Sequence, residues 1–201
     1  MRIGVFGGTF DPPHIGHLIL AAEAQAQLGL DRVLWVLTPI PPHKTDQKIT
    51  PTEHRLEMLL AALAGNPEFE LSRVDLDRPA PHYALDTVQL LTNEHPLDEI
   101  IYLIGGDSLR DLPTWHRPGD FVQACAAIGV MHRPGDQFEL ESLEKIIPGL
   151  VRKVHFIQAP LIEIASSTIR QRIADGQPYR YFIPPDVFHY IRRYRLYHSV
   201  P

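Results

Sequence analysis

The sequence predicts an α/β protein built on a doubly wound parallel sheet. Short apolar runs alternate with amphipathic segments along the chain, and glycine- or proline-containing turns separate the two kinds of segment. Polar and glycine-rich stretches follow several of the apolar runs. Alternation of this kind favours parallel strands with helices on both faces of one sheet. In such sheets ligands bind beyond the carboxyl ends of the strands, so these stretches are the candidate functional loops.

The predicted strands are apolar runs bounded by turn residues. They cover residues 2–6, 32–37, 69–76, 98–104, 126–131 and 153–157. The first predicted helix begins at Ile15, where apolar and small residues recur at helical spacing, and ends at Gly29. The other predicted helices cover residues 51–65, 84–92, 167–175 and 186–194.

Composition and charge limit the functional classes. The 201 residues suffice for one domain with a substantial core, and 44% of them are hydrophobic. A net charge of −5 gives no broad electrostatic surface for nucleic acid, so an anionic ligand requires a local cluster of donors. Neither a signal peptide nor an apolar run of membrane-spanning length is expected. The single cysteine, Cys125, predicts a core position and a reducing compartment such as the cytoplasm.

Residues 7–17, GGTFDPPHIGH, form what we call the elbow, because they follow the first strand and lead into the first helix. Gly7 and Gly8 allow a ligand to approach the backbone closely. The start of the following helix favours an anion such as phosphate. His14 and His17 are three residues apart, so their imidazoles share one side of the first turn and can donate to phosphoryl oxygens. Two other interpretations stay open: metal ligands that lack a recognisable third partner, and ordinary surface histidines.

Three further loops are predicted to meet the elbow at the same edge of the sheet. They follow the second, fourth and last predicted strands and read TPIPPHK (38–44), GGDSL (105–109) and IASSTIR (164–170). Because the carboxyl ends of parallel strands lie at one edge, these loops converge on one crevice.

The stretch GGTFDPPHIGHL resembles the signature of the nucleotidylyltransferase superfamily, whose first strand-to-helix loop contains HxGH. Other stretches resemble one family within it, the bacterial nicotinate-nucleotide adenylyltransferases. They are PPHK (41–44), EHRLEML (53–59), IGGDSL (104–109), LPTWHRP (112–118), HRPG (132–135), SSTIRQRI (166–173) and YFIPPDVFHYIRRYRLY (181–197). The resemblance implies a Rossmann-like nucleotidylyltransferase fold in a single domain, 1–201, with a C-terminal helical segment at about 166–201.

The resemblance also implies a reaction, the transfer of AMP from ATP to nicotinate mononucleotide in NAD biosynthesis. The mononucleotide phosphate attacks the α-phosphorus of ATP directly, giving deamido-NAD and pyrophosphate. Mg²⁺ is expected to arrive with ATP, without a dedicated protein metal site. The expected partners are these two small molecules, with no nucleic acid or membrane, and a homo-oligomer stays open.

Site residues follow by matching positions to the family pattern. Four are implied to be catalytic, with His17 nearest the α-phosphate: His14, His17, Lys44 and Arg170. The residues implied to bind ATP are Gly7, Gly8, Thr9, Phe10, His14, His17, Gly105, Asp107, Ser166, Ser167 and Arg170. Those implied to bind the nicotinate nucleotide are Gly8, Thr9, Phe10, Lys44, Ala84, Trp115 and Arg133.

Several of these residues have a structural alternative. Trp115 is either the platform that stacks on the nicotinate ring or a half-buried core aromatic. Asp107 either accepts from a ribose or caps a helix. Lys44 and Arg133 are either phosphate ligands or solvated charges, and Arg55 either belongs to the site or organises loops. The same choice applies to Asp86 and Thr87.

The sequence departs from the family pattern at three places. Gly105-Gly106-Asp107 stands in place of the family's GAD or GWD and makes a more permissive turn. HYALDT stands where the family commonly has SYT before its DT, so Ala84 would bind a carboxylate through its backbone N–H. In IASSTIR, counting back from Arg170 favours Ser166 and Ser167 over Thr168 as the matching positions.

Other functions stay open at this point. The acceptor could be nicotinamide mononucleotide or phosphopantetheine, although LPTWHRP and the closing helix disfavour the latter. A nucleotide-binding sensor without turnover and a zinc-binding structural protein are the alternatives from other classes.

Overall fold

A computed structural model of the chain describes residues 1–41, 49–132, 139–160 and 163–198. Six strands form one parallel sheet in the order β3-β2-β1-β4-β5-β6. The strands are β1 (Arg2–Gly8), β2 (Arg32–Leu37), β3 (Phe69–Ser72), β4 (Glu99–Gly105), β5 (Ala127–His132) and β6 (Val154–Gln158). The strand order reverses between β1 and β4, which places the ligand crevice of a doubly wound sheet beyond their carboxyl ends. The predicted fold class is confirmed.

Helices cover both faces of the sheet. They are α1 (Ile15–Leu28), α2 (Thr52–Leu63), α3 (Ala84–Glu94), α4 (Gly106–Asp111), α5 (Pro118–Ala124), α6 (Leu140–Ile146), α7 (Leu150–Lys153), α8 (Ser166–Ala174) and α9 (Pro185–Tyr194). Two short 3₁₀ turns lie at Leu112–Thr114 and Arg180–Phe182. Within the described ranges, no helix is both long enough and apolar enough to cross a membrane.

Alternate residues of the central strands pack into two separate cores. On one face, Val5 and Ile104 join residues of α3 and α5. On the other face, Trp35 and Leu103 join residues of α1 and α2. Because both faces are covered, the strands read as nearly continuous apolar runs instead of alternating with polar residues. This is why RVLWVL identified β2 correctly from sequence.

A third core attaches the C-terminal helices. Met58 and Ala62 of α2 pack against isoleucines and a valine of the C-terminal part, which are Ile169, Ile173, Ile183, Val187 and Ile191. This contact fixes α8 and α9 against the same edge of the molecule that carries the elbow.

The predicted third strand is wrong beyond Ser72. Residues 73–76 form a turn, in which the backbone N–H of Asp77 donates to the carbonyl of Arg73 at 3.0 Å. The apolar residues of this stretch suggested a longer strand, but Asp75 is buried and its carboxylate is paired with Arg78 across the turn. The short helices α4 to α7 were not predicted, because four to seven residues are too few for a helical period to be recognised.

Cys125 lies in the core with 1% of its surface exposed, as predicted. Burial raises the pKa of its thiol to about 12. We expect the folded protein at pH 8 to react with a disulfide reagent about a thousandfold more slowly than an ordinary thiol, because the thiolate is correspondingly scarce. Thiol titration before and after addition of guanidinium chloride checks this, and rapid labelling of the folded protein would contradict it.

Candidate active site

The elbow is shaped by Phe10, which adopts a left-handed backbone conformation with φ of 46°. Its ring turns into the core and contacts Phe6 and Trp35, with ring centroids 5.5 and 5.3 Å away. A Cβ atom on Gly8 would lie 2.8 Å from this ring, so glycine is required there. Phe10 was predicted to line both substrate sites. With its ring buried in the core, its backbone is what it offers a ligand.

The two histidines of the elbow stack on each other at the start of α1. Their ring centroids are 3.6 Å apart, and the backbone N–H of His14 donates to Nδ1 of His17 at 3.1 Å. Because Nδ1 of His17 accepts this bond, the ring proton is assigned to Nε2. The first turn of α1 contains no acidic residue, so its N-terminal end has no acidic side chain competing for its donors.

Asp11 fastens the elbow to two other parts of the chain. It is 4% exposed, and its two carboxylate oxygens accept from the Tyr197 hydroxyl at 2.7 Å and the Thr50 backbone N–H at 3.2 Å. Burial raises the pKa of Tyr197, so this hydroxyl stays protonated and donates.

The start of α8 lies against the elbow through Ser166 and Arg170. The Ser166 hydroxyl donates to the carbonyl of Pro12 at 2.9 Å, and the Arg170 guanidinium donates to the carbonyl of Asp11 at 2.8 Å. Ser167 follows in the first turn of α8 and is exposed. These contacts bring a cationic side chain to the backbone that carries the histidine pair.

Arg55 acts as a buried organiser of loops, which was one of its two predicted roles. It is 1% exposed, and burial lowers the pKa of its guanidinium from the ordinary value. Its guanidinium donates to four carbonyls at 2.7–3.0 Å and to one hydroxyl at 3.1 Å. The carbonyls belong to Thr9, Thr38, Pro39 and Thr50, and the hydroxyl belongs to Thr52. Arg55 therefore holds the elbow, the end of β2 and the start of α2 together.

A cavity of about 310 Å³ opens at the switch point of the sheet, beside the elbow. Six of the predicted residues line it, namely Gly7, Gly8, Thr9, Ala84, Gly105 and Trp115. The wall opposite the elbow consists of the start of α3 and the segment before it, with His82, Tyr83 and Leu85. Three of the four predicted loops thus line the cavity, namely the elbow, 38–44 and 105–109. The fourth, 164–170, and the two histidines of the elbow are not in its lining.

Aromatic side chains line one side of this cavity. Trp115 is half-buried and packs on Phe121, with ring centroids 5.2 Å apart, while its ring also lines the cavity. Tyr83 and His116 stack at 4.1 Å with an angle of 17° between their planes. Trp115 therefore makes the core contact that was one of its two alternatives, and its role as a flat surface for a ligand stays a prediction.

A buried ion pair positions the segment that carries His82 and Tyr83. The Asp75 carboxylate accepts from Arg78 at 2.9 Å and from the Thr87 hydroxyl at 2.8 Å. Arg78 also donates to the carbonyl of Pro81 at 2.8 Å. Organising loops was one of the two alternatives for Thr87, and this network shows that contact. Sequence reasoning missed Asp75, because its stretch was assigned to a strand, and Arg78, which follows that stretch.

Two buried polar side chains of the cavity were also missed. His82 is 6% exposed, and burial lowers the pKa of its imidazole. The Tyr102 hydroxyl faces Gly7, where a Cβ atom would lie 2.6 Å from its oxygen. Burial raises the pKa of Tyr102, so it stays a neutral phenol. The only available signal for either residue was an isolated polar side chain in an apolar context.

Three predicted residues stand apart from these groups. Asp107 lies in the first turn of α4 with 74% of its side chain exposed, 3.5 Å from Arg110. Lys44 and Arg133 lie outside the described residues.

A family model described as cytidylyltransferase-like matches residues 5–172 of the chain. This match, the doubly wound sheet and the HxGH elbow at its switch point define a nucleotidyltransferase of the cytidylyltransferase-like class. The probable nicotinate-nucleotide adenylyltransferase of Thermomicrobium roseum is 46% identical over 99% of this chain and 92% of its own length. The nicotinate-nucleotide adenylyltransferase of Bacillus subtilis is 39% identical, covering 98% of this chain and 99% of its own length. The chain therefore belongs to the nicotinate-nucleotide adenylyltransferase family.

A solved structure shares the fold across nearly the whole chain. It is Plasmodium falciparum nicotinic acid mononucleotide adenylyltransferase complexed with NaAD, with a TM-score of 0.77. The two chains are 21% identical, and the match covers 98% of this chain and 97% of the other.

Proposed function

We propose that the protein transfers the adenylyl group of ATP to nicotinate mononucleotide. A phosphate oxygen of the mononucleotide forms a bond to the α-phosphorus of ATP, and the bond from that phosphorus to the bridging oxygen of the β-phosphate breaks. Pyrophosphate leaves with the electron pair of the broken bond, and deamido-NAD is the other product. No protein nucleophile is required, so positioning and charge stabilisation supply the catalysis.

One observation carries the proposal: Gly7, Gly8 and Thr9 of the elbow line a cavity with an aromatic wall, and the two stacked histidines follow in the same loop. The elbow supplies imidazole and backbone donors and a helix N-terminus, which suit the phosphates of two anionic substrates. The cavity supplies Trp115 for a flat ring and the start of α3 for an anionic substituent on that ring. A nucleotide with a pyridine carboxylate combines these features.

Within the elbow, we assign the central role to His17. Because Nδ1 accepts from the backbone N–H of His14, Nε2–H is the donor of this ring. A donor aimed at the α-phosphate oxygens stabilises the negative charge that builds up during the transfer. Arg170, beside the same backbone, is placed to neutralise the departing phosphates.

We propose that Mg²⁺ is held by the triphosphate and by water. Both carboxylate oxygens of Asp11, the acid of the elbow, already accept hydrogen bonds within the protein. When bound, the ion would neutralise part of the phosphate charge. We further propose a reducing compartment, the cytoplasm, as the site of action, because the single cysteine of the sequence has no partner for a disulfide within the chain.

Pyrophosphate release from ATP and Mg²⁺ tests the function, with nicotinate mononucleotide, nicotinamide mononucleotide or phosphopantetheine as the acceptor. We expect rapid release with nicotinate mononucleotide and a kcat/KM at least tenfold lower with the other two. Preference for the amide would retain the chemistry and overturn the substrate. Absence of turnover in folded protein that still binds ATP would favour the sensor.

A further inference from the structure

His82 is a buried imidazole in the cavity wall, and one of its ring nitrogens makes no hydrogen bond within the described residues. It is 6% exposed and lines the cavity. Its Nδ1 atom is buried and has no hydrogen-bond partner among the residues that the structure describes. Since a buried polar atom without a partner is costly, such an atom in a ligand cavity indicates a bond that the ligand completes.

The charged neighbours of His82 do not occupy this atom. Asp75 and Arg78 are the charged groups that act on the imidazole: Asp75 raises its pKa and Arg78 lowers it. They are paired with each other at 2.9 Å, and the Asp75 oxygen in that pair also accepts from Thr87. Arg78 holds the carbonyls on either side of His82, those of Pro81 at 2.8 Å and Tyr83 at 3.3 Å. His82 is therefore held in place before a ligand arrives.

The neighbouring surface favours a negatively charged group. Ala84 and Leu85 begin α3, an 11-residue helix, and both line the cavity next to His82. The first backbone N–H groups of a helix lack partners within it and attract an anion. Asp86, the acid of this turn, lies 3.6 Å from Arg78, which offsets its charge.

We propose that His82 is a specificity-determining residue, whose Nδ1–H donates to the carboxylate of the nicotinate ring. This inference rests on the proposed function and adds to it the side chain that distinguishes the acid from the amide. A hydrogen bond to a carboxylate is stronger than one to a neutral amide oxygen.

The test compares KM and kcat for both mononucleotides in the wild type, His82→Ala and His82→Asn. We expect His82→Ala to raise KM for nicotinate mononucleotide about 10- to 100-fold, with kcat and KM for ATP within about threefold. For nicotinamide mononucleotide, the same variant should raise KM less than about tenfold. Asparagine carries an amide donor near the position of Nδ1 and should restore most of the preference for the acid.

The controls separate this inference from the proposed function. His189→Ala removes an exposed imidazole on α9 and should behave as the wild type. If His82→Ala does not fold, His82→Leu fills the space without donating and carries the same expectation. An equal rise in KM for both acceptors, or no rise, would overturn the role of His82 while wild-type turnover leaves the function intact. Failure of the wild type to use nicotinate mononucleotide would overturn the function itself.

Discussion

Replacing His17 by alanine is expected to lower kcat about 10²- to 10³-fold, while KM for either substrate changes by no more than a few-fold. This is the usual effect of removing one donor that stabilises charge in a transition state. His17 is suited to that role because the His14 backbone N–H holds its Nδ1 at 3.1 Å and orients the ring. Its Nε2–H would meet negative charge that is greatest during the transfer. The substitution is therefore expected to lower kcat and to leave substrate binding nearly unchanged.

Steady-state pyrophosphate release with each substrate varied in turn measures both constants. His17→Gln places an amide nitrogen near the position of Nε2 and should retain more activity than His17→Ala. His155→Ala is the matched control, because His155 is exposed on β6. A normal kcat in folded His17→Ala would remove His17 from the chemistry and leave α1 and Arg170 as the remaining described groups for charge stabilisation.

Replacing Arg55 by methionine is expected to lower the free energy of unfolding by about 3–5 kcal/mol. Methionine has a similar length but donates nothing, so four partly buried carbonyls lose a partner at once. Each buried group left without a partner costs about 1–3 kcal/mol before local relaxation and water entry reduce the sum. For a chain of this length, the melting temperature should fall by roughly 10 °C.

Thermal and urea unfolding of Arg55→Met measure this loss. Arg55→Lys keeps the charge, but a single ammonium group cannot reach four carbonyls in different directions, so it should recover only part of the stability. Arg152→Met removes an exposed arginine and should change stability by less than about 0.5 kcal/mol. A change in Arg55→Met as small as that in Arg152→Met would show that water replaces the guanidinium at little cost.

Local pattern was enough for the elements that surround the elbow. RVLWVL predicted β2 with the bounds that the structure has, because a strand buried on both faces reads as a continuous apolar run. HxGH placed two imidazoles in the first turn of α1, because helical spacing brings residues three apart to one side. The elbow and its histidines were thus predictable from short-range geometry.

Sequence patterns failed where side-chain contacts override them. Asp75 lay in a stretch with the apolar residues of a strand, yet its ion pair with Arg78 and its bond to Thr87 accompany a turn of the chain there. The role of Trp115 was ambiguous from sequence because its ring both packs on Phe121 in the core and lines the cavity. His82 gave no recognisable motif.

By itself, the sequence determined the sheet class, the elbow and the set of loops that meet at its edge, because periodicity and turn chemistry act over a few residues. Only the tertiary structure decided what those loops contact. Arg170 donates to Asp11 from 159 positions away in the chain, and Arg55 joins loops that come from three elements. Such contacts form when the sheet and its helices have already brought distant segments together, and no local spacing encodes them.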